Sequence, residues 1–208
     1  MAITDIKIFS NLKTKPKILI GIGTPMVMLV ILGIVSVVAI MSIVDSNERV
    51  NHTNKVLRKA AAIVGSAVDM ETGMRGYLLA GQDVFLNPYK DGEKATYEEI
   101  AALQKTVNDN PKQVKRLGEA GKILKEWQAK VTEPTIALRR EIGDADTMND
   151  MAKLVGEARG KKYFDKFRSQ IETFIGRERT LLDKRALELA AAKVAVDKNF
   201  KTVADSVD

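Results

Sequence analysis

The 208-residue chain has 45% hydrophobic and 29% charged residues but only 5% aromatic ones, a composition that favours long helices over sheets. It has no cysteine and a single histidine, His52, which excludes disulfides and thiolate metal sites and argues against histidine-based catalysis, so we expect no enzyme, no metal site and no cofactor. Half of the net charge of +6 lies in the first seventeen residues, and the basic balance therefore does not indicate a nucleic-acid partner.

Residues 18–44 form a run of twenty-seven residues without a charged side chain. As a helix this run would be about 40 Å long, more than the roughly 30 Å hydrocarbon core of a bilayer. A cleavable signal has a shorter apolar region and a small-residue cleavage site, and an interfacial helix needs a polar face that is missing here. A core helix of this apolarity would be unusual in so small a domain. We therefore predict a transmembrane helix over residues 18–44.

The charges before this helix predict its orientation. Four lysines and one aspartate give residues 1–17 a net charge of +3. Such a flank stays in the cytoplasm, which sends the chain after Val44 across the membrane. We expect residues 1–17 to form a basic cytoplasmic tail and the rest of the chain to be extracytoplasmic.

A first amphipathic helix is predicted to continue from the membrane to about Ala80. Its apolar face keeps a spacing of three and four residues for about eight turns and consists of Val50, Thr53, Val56, Leu57, Ala60, Ile63, Val64, Ala67, Met70, Met74, Tyr77 and Leu78. Residues 81–92 are rich in turn formers, and within them we expect Phe85 and Tyr89 to cover the end of a core. A second, shorter helix is predicted over residues 93–107.

The third helix is predicted to begin at Pro111, because proline suits the first turn of a helix. Its apolar stripe alternates intervals of three and four residues through Val114, Leu117, Gly121, Leu124, Gln128, Val131, Thr135, Leu138 and Ile142. Pro134 should bend this helix without ending it. Residues 143–150 form a predicted turn, within which Thr147 would cap a short helix that reaches Ala158.

A final long helix is predicted from Phe164 to the last residue. Together these segments predict an all-α fold, in which an N-terminal transmembrane helix continues into an elongated antiparallel four-helix bundle. The bundle would comprise residues 45–185, and residues 186–208 would form a helical extension that leads to a further segment.

Residues 69–86, DMETGMRGYLLAGQDVFL, combine glycines with helical spacing. A phosphate-binding loop is excluded because it requires a strand before the glycines. Glu71 and Arg75 are one helical turn apart and predict a surface ion pair worth about 0.3–0.5 kcal/mol. The alternative is that Arg75 points inward and receives an anionic ligand. Gly73 and Gly76 predict that a neighbouring backbone or bulky side chain approaches closely.

This stretch resembles the signature of the third class of CHASE sensory domains. The matching positions, which we expect to be structural, are Glu71, Thr72, Gly73, Arg75, Gly76, Tyr77, Leu78, Gly81, Phe85, Pro88 and Tyr89. The resemblance extends to the family's beginning, at residues 52–57, and to its last helix, where Gly160, Phe164 and Glu178 match. It covers about residues 47–185.

The resemblance implies an extracytoplasmic four-helix sensor, as found in bacterial methyl-accepting chemotaxis proteins, sensor histidine kinases and nucleotide cyclases. We expect the sensor portion of a chemotaxis receptor in the bacterial inner membrane, with a periplasmic bundle. The alternatives are the sensor part of a histidine kinase or nucleotide cyclase, and a membrane-anchored structural bundle.

The expected partners are membrane lipid, a second copy in a homodimer, and a small-molecule ligand or a periplasmic binding protein. Arg75, Trp127 and Arg139 are candidates for ligand binding, since a guanidinium binds carboxylates and an indole stacks on flat apolar groups. The identity of the ligand is left open.

Overall fold

The computed structural model describes residues 13–142 and 159–207, and every secondary-structure element within them is helical, which confirms the all-α prediction. The α-helices are α1 (Thr14–Ala80), α2 (Asn87–Thr106), α3 (Pro111–Trp127), α4 (Glu133–Ile142) and α5 (Arg159–Val207). A 3-10 turn, Asp83–Leu86, precedes α2, and a π-helical turn, Gln128–Thr132, joins α3 to α4. The predicted turn at 143–150 and short helix at 147–158 lie outside the described residues.

The chain divides into two compact units, one formed by Val50–Lys184 and the other by Met1–Arg49 with Arg185–Asp208. In the second unit, residues 196–200 of α5 lie beside residues 32–39 of α1. There α1 exposes most of its large apolar side chains. Among the described helices, α1 is long and apolar enough to cross a membrane, judged by length and composition.

Within Val50–Lys184, α1 and α2 pair antiparallel. Lys59 Nζ donates a 2.8 Å hydrogen bond to Thr106 Oγ1. Ser66 Oγ donates one of 2.9 Å to Glu99 Oε2. Residue numbers rise along α1 as they fall along α2, which defines the direction of the pair.

The helix that starts at Pro111 is antiparallel to both of its neighbours. Gln104 Nε2 on α2 donates to the Val114 carbonyl of α3 at 3.1 Å. On the α5 side, Gln113 Nε2 donates to Glu178 Oε1 at 2.7 Å, and the Trp127 ring meets Phe164 edge-on with centroids 5.7 Å apart. Four helical segments therefore pack around a shared apolar core, whose largest members are Trp127, Phe167, Phe174, Ile63, Met70, Leu86, Leu103, Leu117, Leu124 and Ile171.

Two helix boundaries follow directly from the sequence. α1 ends at Ala80 as predicted, and Gly81 takes a φ of 71° that side-chain-bearing residues rarely adopt. The predicted start at Pro111 is also confirmed, and the Asn110 side chain accepts from the Gln113 N–H of the first turn.

The predicted start of the second helix is wrong by six residues. α2 begins at Asn87 because Pro88 lies in its first turn, where the missing N–H would be unpaired in any case. The expectation for the 81–92 segment is half confirmed, since Tyr89 is buried whereas Phe85 is 43% exposed. Leu86 is buried in its place.

The predicted start of the last helix at Phe164 is too late, because α5 is already helical at Arg159. The glycine that follows, Gly160, is within the helix and approaches the Trp127 indole, where an added Cβ would lie 3.3 Å from Nε1. The close approach of the indole therefore accounts for the glycine.

The predicted stripe of the third helix places Leu117, Leu124 and Gln128 correctly and fails after Gln128. These three are buried, but from the last residue of the π-helical turn onward the buried positions are Thr132, Ile136 and Arg139. Each is one residue later than predicted. A π-turn holds an extra residue, so it shifts every later position around the helix.

We predict opposite effects of alanine at two glycines of α1. A Cβ on Gly73 would lie 2.5 Å from the Tyr89 backbone nitrogen, whereas one on Gly65 would meet nothing within 4 Å. Gly73→Ala should lower the free energy of unfolding by about 1–3 kcal/mol through overpacking. The matched control Gly65→Ala should raise it by up to about 1 kcal/mol through helix propensity. Urea titration of both variants checks this, and equal effects would contradict it.

Candidate functional site

The glycines of the 69–86 stretch bring the end of α1 against the start of α2. A Cβ on Gly76 would lie 3.0 Å from Phe85 Cδ1, and one on Gly92 of α2 would lie 2.5 Å from the Ser66 carbonyl. Gly73 and Gly92 thus let the backbones of α1 and α2 approach more closely than side chains would allow, and Gly76 leaves room for the Phe85 ring. Residues 69–86, which carry the signature, therefore lie where the end of α1 packs against the 3-10 turn and the start of α2.

Glu71 and Arg75 form the ion pair that their spacing indicates. Arg75 Nη2 is 2.6 Å from Glu71 Oε1, and the Arg75 side chain is 60% exposed while that of Glu71 is 15% exposed. Arg75 thus points to solvent on α1 and not into the core. A pair of this kind contributes little to stability, typically less than 1 kcal/mol.

Arg139, in contrast to Arg75, is buried, with 7% of its surface exposed. Its Nε donates a 3.1 Å hydrogen bond to the Leu78 carbonyl, and its guanidinium covers Gly81, where a Cβ would collide with it. Leu78 is in the last turn of α1, whose carbonyls have no partner within the helix. Arg139 of α4 therefore caps the end of α1 with a positive charge, which also suits the helix dipole.

Trp127, the third candidate for ligand binding, is buried between α3 and α5. The structure places Arg75 on the surface, Trp127 in the core and Arg139 at the end of α1. It gives each of them different neighbours and does not assemble them into one pocket.

A cluster of polar side chains joins α2 to the π-helical turn, and we call it the Tyr89 cluster. It consists of Tyr89, Glu93 and Tyr97 from α2, with Gln128 and Glu133 from the two ends of the turn. The Tyr89 hydroxyl donates to Glu133 Oε1 at 2.5 Å and accepts from Gln128 Nε2 at 3.0 Å. Gln128 Nε2 also donates to Glu93 Oε1 at 2.8 Å, and the Tyr97 hydroxyl donates to Gln128 Oε1.

Both tyrosines of the cluster hold their protons more tightly than usual. Burial is the main cause of the raised pKa of Tyr89, and its hydrogen bond to the Glu133 carboxylate adds to it. Burial also raises the pKa of Tyr97, with a further contribution from the negative charge of Glu93. Both hydroxyls therefore stay protonated and donate hydrogen bonds. In the cluster the Glu133 carboxylate accepts from the Tyr89 hydroxyl, and the Glu93 carboxylate accepts from the Gln128 amide.

The π-helical turn leaves one polar atom unsatisfied. Thr132 is fully buried, and its Oγ1 has no hydrogen-bond partner in the described residues. Buried hydroxyls without a partner are uncommon, and π-turns are often found at functional sites. The turn and the Tyr89 cluster together are thus the candidate functional site.

A second polar contact connects α3 to α5 at the other end of α3. Glu178 is 5% exposed and accepts from Gln113 Nε2, while Arg116 Nη1 donates to Gln113 Oε1 at 2.8 Å. The carboxylate is thereby linked through an amide to a guanidinium. Among the described residues, no three carboxylate or imidazole side chains lie close enough to hold a metal ion.

Comparison with known proteins gives one family. The CHASE3 domain family matches residues 46–188, more than two thirds of the chain. This chain belongs to the CHASE3 family. The CHASE3 domain is a sensor domain rather than a catalytic one, so the bundle has a sensory role.

A solved structure supports the fold of the CHASE3 bundle. The sensor domain of the Rhodopseudomonas palustris histidine kinase HK9 is 22% identical, with a TM-score of 0.52, and the match covers 63% of this chain and 98% of that one. At this identity the similarity concerns the fold alone. Among curated proteins, no relative matches the chain.

The sequence pointed to the CHASE3 signature but not to the Tyr89 cluster. Tyr89 was expected to be structural, as a signature position that covers the end of a core, and Gln128 was expected in an apolar stripe. Nothing in the sequence singled out Glu93 or Tyr97. The one available sign was Pro134, because a proline inside a helical stripe forces a change in backbone hydrogen bonding. That sign indicates an irregular turn and does not reveal which side chains meet there.

We predict that the Tyr89 cluster makes stability fall in strong base. The raised tyrosine pKa values mean that the folded protein keeps protons which the unfolded chain releases above about pH 10. This contribution is fully present below about pH 10 and is lost as the pH rises further. The difference in free energy of unfolding between the wild type and Tyr89→Phe/Tyr97→Phe should be constant from pH 7 to about 10 and then shrink. A difference independent of pH up to 11 in urea titrations would contradict it.

Proposed function

We propose that this chain is the sensory portion of a bacterial transmembrane signal transducer of the methyl-accepting chemotaxis class. The observation that carries the proposal is that a single helix, α1, contains both the apolar run 18–44 and the first segment of the CHASE3 bundle. A stimulus that alters the end of α1 therefore acts on the helix that would cross the membrane. A small-molecule ligand or a periplasmic binding protein would supply that stimulus by favouring one of two bundle arrangements.

The membrane in this proposal is the bacterial inner membrane, with the basic N-terminus in the cytoplasm and the bundle in the periplasm. The exposed apolar surface of α1 supports insertion, because a soluble helix would bury at least part of such a run. Lipid would then cover the side chains that α1 exposes.

The charges of α5 set a condition on this arrangement. Asp197 and Lys198 are exposed within residues 196–200 of α5, which lie beside residues 32–39 of α1, and Lys193 and Lys201 are exposed on either side of them. A charged side chain near the bilayer centre costs about 3 kcal/mol. Once residues 18–44 are in a bilayer, this part of α5 leaves the side of α1 and stays in water or at the lipid surface.

We further propose that the receptor acts as a homodimer. Leu187 and Val194 of α5 are exposed and seven residues apart, which is the repeat of a coiled-coil seam. A second copy of α5 would cover both side chains. A dimer also gives each helix a partner against which a shift or rotation can be transmitted.

The proposed topology predicts the labelling of two single-cysteine variants, since the natural sequence has no cysteine. In intact cells a membrane-impermeant maleimide should label Asp109→Cys, in the exposed α2–α3 connection, and leave Lys13→Cys unlabelled. Broken cells, in which both variants should react, provide the control. Labelling of Lys13→Cys in intact cells would overturn the topology.

The output distinguishes the proposed class from its alternatives. The protein expressed from its own gene should show carboxyl methylation that changes with stimulus, measured with a radiolabelled methyl donor. Phosphoryl transfer from labelled ATP to histidine would identify the sensor of a histidine kinase, the class of the solved HK9 sensor domain. Production of a cyclic nucleotide would identify a cyclase, and the absence of all three outputs would favour a structural bundle.

A further inference from the structure

The helical segment after the π-turn carries two stripes that are one residue apart. Val131, Thr135 and Leu138 continue the spacing of Leu124 and Gln128 and would be buried if the α-helix were regular. The structure buries Thr132, Ile136 and Arg139 instead, and leaves the first set half-buried. Each member of one stripe is the direct neighbour of a member of the other.

The π-turn is the physical reason for the difference. Regular α-helix advances by 3.6 residues per turn, so one extra residue rotates everything after it by about 100°. Closing the turn into α geometry would move Val131 into the place of Thr132, and Leu138 into the place of Arg139. The unpartnered Thr132 hydroxyl and the Arg139 guanidinium would leave the core in exchange for two aliphatic side chains, while Thr135 would replace Ile136 there.

We call the observed rotation of the helix after the π-turn the π register, and the rotation of an unbroken α-helix the regular register. The burial of Thr132 disfavours the π register. Burying the Thr132 hydroxyl without a partner in the described residues is unfavourable, whereas Val131 and Leu138 carry no polar side-chain atom. If burial alone decided, the regular helix would compete well with the π-turn.

Three features favour the π-turn, and one of them is the hydrogen bond from Arg139 Nε to the Leu78 carbonyl, which caps α1. Pro134 has no N–H, and in regular helix its ring would collide with the Lys130 carbonyl four residues earlier. The Tyr89 hydroxyl also connects Gln128, the first residue of the turn, to Glu133, the first residue after it, at 3.0 and 2.5 Å. Because a register change rotates Glu133 but not Gln128, Tyr89 can bridge the two only while the turn is π-helical.

We infer that the helix from Pro111 to Ile142 exchanges between two registers, and that the Tyr89 hydroxyl holds the π register by bridging Gln128 and Glu133. The exchange itself is a property of the bundle and does not depend on the proposed receptor function. Its use in signalling does rest on that function, and α4 would then be the element that a stimulus rotates.

Single cysteines distinguish the registers in the full chain, reconstituted in lipid nanodiscs. Position 132 is buried in the π register and takes the exposed place of Glu133 in the regular one, whereas position 131 moves from half-buried to buried. We expect Glu133→Ala, which removes one end of the bridge, to speed maleimide labelling of Thr132→Cys about tenfold, the effect of losing a hydrogen bond to a charged group. Labelling of Val131→Cys should stay constant or slow.

The matched control is Glu119→Ala, which removes an exposed carboxylate of α3 upstream of the turn, where it pairs with Lys115. It should leave both labelling rates unchanged. Faster labelling at 131 and 132 together would mean local unfolding and overturn the inference, as would no change at 132 or an equal effect of Glu119→Ala. The same pattern is expected for Tyr89→Phe, which removes the bridge from its other side.

Deleting Ala129, an exposed residue of the turn, gives an independent check. With one residue fewer, regular helix should bury the same face as the π-turn does, so that no second register competes. In this background Glu133→Ala should no longer change the labelling of Thr132→Cys. A tenfold change that persists there would overturn the register mechanism, whatever the outcome of the methylation measurement.

Discussion

The contact between the backbones of α1 and α2 at Gly73 and Gly92 determines what the rest of the bundle can do. A Cβ at either position would lie 2.5 Å from a backbone atom of the other helix, so both helices must present glycine at the crossing. The crossing fixes Tyr89 deep in the bundle, with its hydroxyl between Gln128 and Glu133. Without that close approach the hydroxyl would lie too far from the third helix to bridge the π-turn. The close packing that these glycines allow between α1 and α2 therefore positions the Tyr89 cluster against the third helix.

The π-turn places opposing terms in one segment. The buried Thr132 hydroxyl, which has no partner in the described residues, destabilises it by about 1–3 kcal/mol, and Val131 and Leu138 are left half-buried. The proline, the Tyr89 bridge and the hydrogen bond from Arg139 to α1 act in the other direction. Because these terms oppose each other, a change in the cluster shifts the balance between the two registers. A regular, fully apolar third helix would be more stable and would have only one arrangement.

The sequence predicted those features of the structure that depend on a local pattern, and it did not predict those that depend on contacts between distant residues. The buried face of α1 follows a 3.6-residue period, and nine of its twelve expected positions lie in the apolar core or pack against it, since a periodic pattern needs no knowledge of partners. The start of α2 was missed because Pro88 reads as a breaker locally but suits a first helical turn. The Tyr89 cluster could not be predicted, because its hydrogen bonds connect residues more than thirty positions apart. The π-turn was not predicted because the apolar stripe was assigned on the assumption of regular α-helical spacing, which the π-turn interrupts.

Arg139 connects the register of the third helix to the end of α1. Its Nε pairs with the Leu78 carbonyl and its guanidinium covers Gly81 only because the π-turn rotates α4 so that this side chain faces α1. In the regular register Leu138 would take that place, and an aliphatic side chain cannot cap carbonyls. The last turn of α1 would then lose a charged cap that also complements the helix dipole. Since α1 is the helix that contains the apolar run, Arg139 gives the third helix a direct polar contact with it. This contact makes Arg139 a link between two helices of the bundle.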